Sequence, residues 1–252
     1  MAPVSPVPKR PVSHPKPRLR LHNNSLEDEG SVLFVSTFHS PRELLVSAIE
    51  EVLATLYPSW YSKPHLSEST SATDDADSPV APWPEVRSIT LVIDDGYDGV
   101  AYTSGIPIDD SHKEIHLSTT YVHHQQPSGR LQEEIYGVIV HEMVHCWQHS
   151  CDGIPGGLIE GVADFVRLKA GLSPPHWKKE HSGKWDGGYQ HTAYFLEWLE
   201  SKYGAGSVEK LNAHIGQIRQ KAHTYDEKRF WEGLFGREVG GLWKDYGESL
   251  KN

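Results

Sequence analysis

Cysteine is scarce in this sequence, with only two in 252 residues, Cys146 and Cys151. Two cysteines are too few for a disulfide framework, and such sparse use is typical of proteins from reducing compartments. Their short spacing leaves two alternatives open. One is a local bridge at the end of a helix, and the other is a pair of free thiols, which we favour because of the expected compartment.

Long apolar runs and an excess of basic residues are also missing. No segment approaches the roughly 20 apolar residues of a membrane helix, and residues 1–20 contain no apolar core such as a secretory signal needs. The 24 lysines and arginines against 34 aspartates and glutamates give a net charge of −10. This charge argues against nucleic acid or an anionic membrane as the main partner. Because no signal is visible, we expect a cytoplasmic protein, and we also expect it to be a monomer.

Polar and proline-rich composition sets two segments apart from the core. Residues 1–30 interleave basic residues with prolines, and they are predicted to form a flexible tail. Residues 62–84 are rich in serine and aspartate, and they are predicted to form a disordered loop. The stretch from 31 to 252 is long enough for one domain with a sizeable core.

The hydrophobic pattern within this domain predicts an α+β fold with a mainly helical C-terminal lobe. The predicted strands are 31–38, 86–93, 100–102 and 114–122. The predicted helices are 41–57, 131–149, 158–170, 189–203 and 208–218, with two short helices between 226 and 250.

The stretch His141-Glu142-Met143-Val144-His145 carries the clearest chemistry. It matches the H-E-x-x-H motif, in which two histidines four residues apart share one helix face and bind the same ion. The surrounding helix is apolar nearly all round, which predicts that it is buried. Polar groups inside such a helix need partners, because an unpaired one costs about 1–3 kcal/mol. A zinc ion would satisfy both imidazoles and the carboxylate together.

A catalytic zinc takes three protein ligands, and the next helix offers the third. Glu160 follows His145 across the glycine-rich loop 153–157, which lets the second helix fold back beside the first. Asp164 lies four residues further along the same face, where it can accept the other ring N–H of a ligand histidine. We assign Glu160 as the ligand and Asp164 as its support. The reverse assignment is the alternative. Pairing of the two carboxylates with Arg167 or Lys169 is less favoured because the region is apolar.

These residue types predict hydrolysis of a peptide bond. Glu142 would act as general base toward a zinc-activated water and then protonate the leaving amine. Tyr189 and His191 follow a glycine loop and open a helix, so both are candidates to stabilise the oxyanion, with Tyr189 first. Strand 114–122 directly precedes the motif helix, and we expect it to be the sheet edge that binds the substrate by strand addition. Ordinary surface or loop positions are expected for His116, His123 and His124.

Four segments resemble the plant basic secretory protein family, a group of zinc-metallopeptidase-like proteins. They are DGVAYTS (98–104), HEMVHCWQH (141–149), PGGLIEGVADFVRLKAG (155–171) and WDGGYQHTAYFLEWL (185–199). The resemblance spans about residues 31–247, and it implies a zincin-like fold with a small, twisted, mixed sheet whose edge strand lies above the active-site helix. It also implies a zinc cofactor and an association with defence or secretion. An extracellular location is therefore the alternative, although the acidic charge and the absence of a visible signal depart from the family.

Three functional hypotheses remain. The leading one is a zinc-dependent metallopeptidase that acts on peptides or proteins, with His141, His145 and Glu160 as ligands and Glu142 as base. The second is a catalytically silent, zincin-like binding or defence protein that keeps zinc for its structure. The third, a metal-free globular domain, is the weakest.

Overall fold

The computed structural model describes residues 16–61, 82–125 and 129–251. Within these ranges it has an α+β fold with a small mixed sheet. The strands are β1 (Arg18–Asn23), β2 (Ser88–Asp94), β3 (Ala101–Ile106) and β4 (Asp109–Ser118). The helices are α1 (Glu29–Thr37), α2 (Pro41–Leu56), α3 (Thr119–His124), α4 (Leu131–Trp147), α5 (Gly156–Lys169), α6 (Tyr189–Tyr203), α7 (Ser207–Gln220), α8 (Glu227–Phe235) and α9 (Val239–Ser249).

The sheet has the strand order β1-β2-β4-β3. β1 and β4 both run parallel to β2, whereas β3 runs antiparallel to β4. The prediction of 114–122 as an edge strand is therefore wrong, because β4 lies inside the sheet and β3 forms the edge. The chain turns back at Ile106 and pairs β3 with the open side of β4, which sequence periodicity cannot show. Residues 119–122 continue as α3, whose first turn is capped by the Ser118 hydroxyl accepting from Tyr121 N at 3.3 Å.

The N-terminal elements also differ from the sequence prediction. Residues 31–38 are predicted as a strand, yet they belong mostly to α1. The Asp28 carboxylate caps this helix by accepting from Gly30 N at 2.9 Å and Ser31 N at 3.1 Å, and this local cap outweighs the β-branched valines of the run. The prediction of a flexible tail over residues 1–30 is likewise wrong for 18–23, which form β1 in register with β2, and for 29–30, which begin α1. Residues 1–15 lie outside the described ranges.

The prediction of a disordered loop over 62–84 falls mainly on residues 62–81, which also lie outside the described ranges. Its end is structured, because Trp83 is buried and packs edge-on against Tyr57 with 5.5 Å between the ring centroids. Cys146 and Cys151 are free thiols, as favoured from their number and compartment.

The helical layer packs on the inner face of the sheet, which the buried side chains of β2 and β4 line. α4 lies at its centre, against α2, α5 and the strands β3 and β4. The predicted helices from 158 onward are confirmed within a few residues, including α6 with Gly204 at its end. The C-terminal lobe has an aromatic core, formed by Trp185, Phe195, Trp231, Trp243 and Tyr246. No described helix has the length and apolar character needed to cross a membrane.

Candidate metal centre

The motif helix is buried in the core and presents both of its motif histidines on one side. Nε2 of His141 lies 3.3 Å from Nε2 of His145, as the four-residue spacing on an α-helix requires. The rings meet edge-on, with 5.1 Å between their centroids. Apolar side chains surround the helix, including Ile139, Val140 and Met143, which have no exposed surface. This packing fixes the direction in which the two imidazoles point.

The next helix supplies a carboxylate to the same point. Glu160 on α5 places Oε2 3.1 Å from His141 Nε2 and Oε1 3.7 Å from His145 Nε2. One ligand atom from each of the three residues lies within 4.8 Å of the others, and this is the group among the described residues that could hold a metal ion. The structure thus brings together the three residues predicted to bind metal.

Two glycines on α5 allow this arrangement by letting α6 approach closely. A Cβ on Gly157 would overlap the carbonyl oxygen of Asp186, and a Cβ on Gly161 would overlap the side chain of Thr192. The Thr192 hydroxyl in turn donates to Trp185 O at 2.8 Å and accepts from Gly188 N at 3.0 Å. The loop before α6 is therefore held against α5, on the side that carries Glu160.

The three residues fit a zinc ion in spacing and in donor type. Tetrahedral ligands about 2.0–2.1 Å from zinc lie roughly 3.3 Å from one another. The two Nε2 atoms are 3.3 Å apart, and one oxygen of Glu160 lies 3.1 Å from His141 Nε2 while the other lies 3.7 Å from His145 Nε2. Two imidazole nitrogens and one carboxylate oxygen are among the donors that zinc accepts, with a fourth position left for water.

The opposite ring nitrogens of the two histidines are held by other side chains. Asp164 on α5 places Oδ1 2.7 Å from His141 Nδ1, and the side-chain amide of Gln148 lies 2.6 Å from His145 Nδ1. Glu160 faces both Nε2 atoms, whereas Asp164 faces the far side of one ring. This geometry favours Glu160 as the ligand and Asp164 as the group that orients His141. The other oxygen of Asp164 is buried without a hydrogen-bond partner among the described residues.

The ionisable groups of the cluster shift one another's pKa. Burial by itself would lower the pKa of His141, but hydrogen bonds with Asp164 and Glu160 outweigh it and raise the pKa to about 10. The hydrogen bond from His141 lowers the pKa of Glu160. Burial and the positive charge of His141 lower the pKa of His145. The two carboxylates thus favour the protonated form of His141 in the metal-free protein, and metal binding at Nε2 requires loss of that proton.

Glu142 lies in the same cleft, and its residue is only 6% exposed. Burial raises the pKa of its carboxyl group, whereas the charge of His141 and a hydrogen bond from Thr103 act in the opposite direction. The Thr103 hydroxyl lies 2.8 Å from Glu142 Oε2 and 2.9 Å from the Glu142 carbonyl oxygen. A carboxylate of raised pKa beside a metal-binding cluster has the character of a general base.

The two predicted oxyanion donors occupy different positions. Tyr189 lines the cleft of about 440 Å³ together with Glu142, His145 and Glu160. Its side chain is 62% exposed, and its φ of +48° places a non-glycine residue in the left-handed region. His191 is not among the residues that line the cleft, and its Nε2 faces Glu180 Oε1 at 3.6 Å instead. The two residues are two positions apart on α6, which is about 200° around the helix axis, so their side chains point to opposite sides.

Sequence reasoning missed two residues of the site, Thr103 and Gln148. Thr103 belongs to a segment that supported the family resemblance, and the alternation of β3 could have indicated that it faces the helices. Gln148 follows the last turn of α4, three residues after His145, which is a spacing at which side chains meet. Two of the other histidines have partners outside the cluster, and His116 belongs to the inner strand β4 rather than to a loop. His116 Nδ1 contacts Asp94 Oδ2 at 2.9 Å, and His123 Nδ1 lies 3.4 Å from Glu29 Oε2.

Comparison with known proteins gives a family but no individual relative. Neither the curated proteins nor the solved structures include a match to this chain. A family model, BSP, described as a peptidase of plants and bacteria, matches residues 14–246. Because this match covers most of the chain, the protein belongs to the basic secretory protein family, the peptidases of plants and bacteria.

Proposed function

We propose that the protein is a zinc-dependent metallopeptidase with a zincin-like arrangement of helix and sheet. The observation that carries the proposal is the position of Glu142, a buried carboxylate in the same cleft as the His141, His145 and Glu160 cluster. Two histidines and a carboxylate with an open fourth position are the ligand set of catalytic rather than structural zinc sites. Membership of a peptidase family supports the reaction type.

The residues around the cleft divide the chemistry among them. A zinc ion at this position would polarise a scissile carbonyl and make a nearby water acidic enough to react near neutral pH. Glu142 would take the proton of that water and deliver it to the leaving amine. Asp164 would keep the Nδ1 proton on His141, so that Nε2 stays free to bind the metal. Tyr189, on the rim of the cleft, is the candidate donor to the oxyanion.

The substrate would be a peptide in an extended conformation. β3 is an edge strand, so its outer side offers backbone groups that are free to pair with an added strand. Ala101, Tyr102 and Thr103 of this strand line the cleft beside Glu142. A peptide paired with β3 would therefore run past the metal-binding cluster. Because β4 is inside the sheet, β3 replaces it as the proposed binding strand.

The test combines metal analysis with a digest of an unbiased peptide library by the purified chain. We expect stoichiometric zinc and cleavage that a chelator abolishes and added zinc restores. Glu142→Gln should retain zinc and lose cleavage by about 100-fold or more, the range for removing a general base. Glu133→Gln is the matched control, since Glu133 lies on the same helix in a 60% exposed position.

Two results would contradict the proposal. A protein that cleaves peptides equally well after Glu142→Gln does not use this carboxylate as its base. A protein that holds zinc and cleaves no peptide in the library supports the alternative of a silent binding protein. In that case His141→Ala should lower the melting temperature sharply, because a metal that binds only the folded state stabilises it.

A further inference from the structure

The contact between Thr103 and Glu142 joins the edge strand of the sheet to the motif helix. The two residues are 39 positions apart in the sequence, and the hydroxyl of one lies 2.8 Å from the carboxylate of the other. Thr103 sits opposite Ile115 in the antiparallel pair, and Ile115 is fully buried on the inner face of the sheet. The threonine side chain therefore points away from the solvent-facing side of β3 and toward α4.

Small residues on this side of β3 bring the strand close to the helix. Successive strand residues alternate between faces, so Ala101 and Gly105 share the inner face with Thr103. The larger Tyr102 lies on the other face, where its ring stacks on His116 with 4.4 Å between the centroids. The sequence of β3 thus places a hydroxyl, and no larger side chain, against Glu142.

The carboxylate of Glu142 depends on the Thr103 hydroxyl more than the carbonyl oxygen of Glu142 does. The Glu142 carbonyl oxygen lies inside an α-helix, where it accepts the N–H of the residue four positions on. For the carboxylate, Thr103 is the hydrogen-bond partner among the residues that the structure describes. A carboxylate this deeply buried needs such a donor, since leaving it unpaired is costly. Threonine suits the task because its branched side chain has few rotamers, whereas glutamate has three rotatable bonds.

Resting on the proposed function, we infer that Thr103 is a positioning residue that holds the carboxylate of Glu142 in the orientation needed for proton transfer. The edge strand β3 would then contribute in two ways. Its backbone would pair with the peptide, and its Thr103 side chain would orient the carboxylate of Glu142. Binding a peptide along β3 and aligning Glu142 become properties of the same strand. The hydroxyl neither reacts nor loses its proton in this role.

The test uses a pair of variants that separate the hydroxyl from the shape of the side chain. Thr103→Val keeps the branched shape and removes the hydroxyl, whereas Thr103→Ser keeps the hydroxyl. We expect Thr103→Val to lower kcat by about 10- to 100-fold, the effect of a base displaced by about 1 Å. KM and zinc content should stay near the wild-type values, and Thr103→Ser should recover most of kcat. Thr90→Val is the matched control, because Thr90 lies on β2 between the fully buried Ile89 and Leu91 and so faces the other side of the sheet.

A second readout does not depend on activity. In chelator-treated protein, Thr103→Val should lower the melting temperature in the wild-type background and have a smaller effect in the Glu142→Leu background, where the carboxylate is absent. Unchanged kcat in Thr103→Val would overturn the inference, as would an equal loss in Thr103→Ser or a loss that falls on KM or zinc content. If the wild-type chain cleaves no peptide, the proposed function fails, and the melting-temperature cycle alone decides whether Thr103 holds Glu142.

Discussion

Replacing Asp164 by asparagine tests how the proposed metal ligands are held in place. The residue is 2% exposed, and its Oδ1 lies 2.7 Å from Nδ1 of His141. Asparagine has nearly the same shape, so the change removes the negative charge without opening a cavity. What is lost is the charge-assisted character of the hydrogen bond, which fixes the His141 tautomer and makes Nε2 a stronger donor.

The expected cost follows from comparable sites. Removing the partner of a ligand histidine weakens metal binding by about 10- to 100-fold, which corresponds to about 1.4–2.7 kcal/mol. Glu160→Gln removes the charge of a group that faces both Nε2 atoms, at 3.1 and 3.7 Å. We therefore expect Glu160→Gln to weaken zinc binding by more than about 100-fold, which exceeds the range expected for Asp164→Asn.

Zinc affinity is measured by competition with a chromophoric chelator at one fixed pH, because proton release makes the affinity depend on pH. Asp152→Asn serves as the control, since Asp152 is exposed and lies outside the cluster. If the zinc affinity of Asp164→Asn stays within about twofold of the wild-type value, the loss is far smaller than expected. That result would refute the supporting role of Asp164. A larger loss for Asp164→Asn than for Glu160→Gln would reverse the two assignments.

Two further predictions concern the packing and the charge of the site. Gly157→Ala should lower the free energy of unfolding by about 1–3 kcal/mol through overpacking against Asp186. Gly156→Ala is the control, because a Cβ at Gly156 meets no atom within 4 Å. Equal melting temperatures of the two variants would contradict the close approach of α5 and the loop before α6. In the metal-free protein, the raised pKa of His141, about 10, contributes stability that is complete below about pH 6.5 and is lost as the pH rises toward the folded value. The melting temperature should therefore fall between about pH 7 and pH 9, and by less in His141→Gln; parallel curves would show that His141 does not carry the proton.

Much of the candidate metal centre could be predicted from the sequence because it depends on helical spacing. His141 and His145 meet at one point wherever four-residue spacing lies on a helix, and the apolar residues around them predict that this helix is buried. Glu160 and Asp164 share a face of the next helix for the same reason. The glycines before Glu160 indicate a return of the chain, and the structure shows the close helix packing that they permit.

The sheet was harder to predict, because strand pairing joins residues far apart in the chain. The run around Val32 and Val35 has the composition of a strand, yet the cap at Asp28 starts a helix there. β1 contains the alternating residues Leu19 and Leu21 within a polar segment, and its place beside β2 depends on a partner about 70 residues away. Local composition holds no information about that partner.

The sequence by itself determined the chemistry available to this protein, namely two histidines and a carboxylate spaced for one cation, with a second glutamate beside them. These features depend on contacts within one helix or between consecutive helices, whose geometry is set by the local backbone. Only the tertiary structure decided that β3 is the edge strand, that Thr103 contacts Glu142, and that Tyr189 rather than His191 lines the cleft. Each of these depends on how separate elements pack, and packing is a property of the whole core.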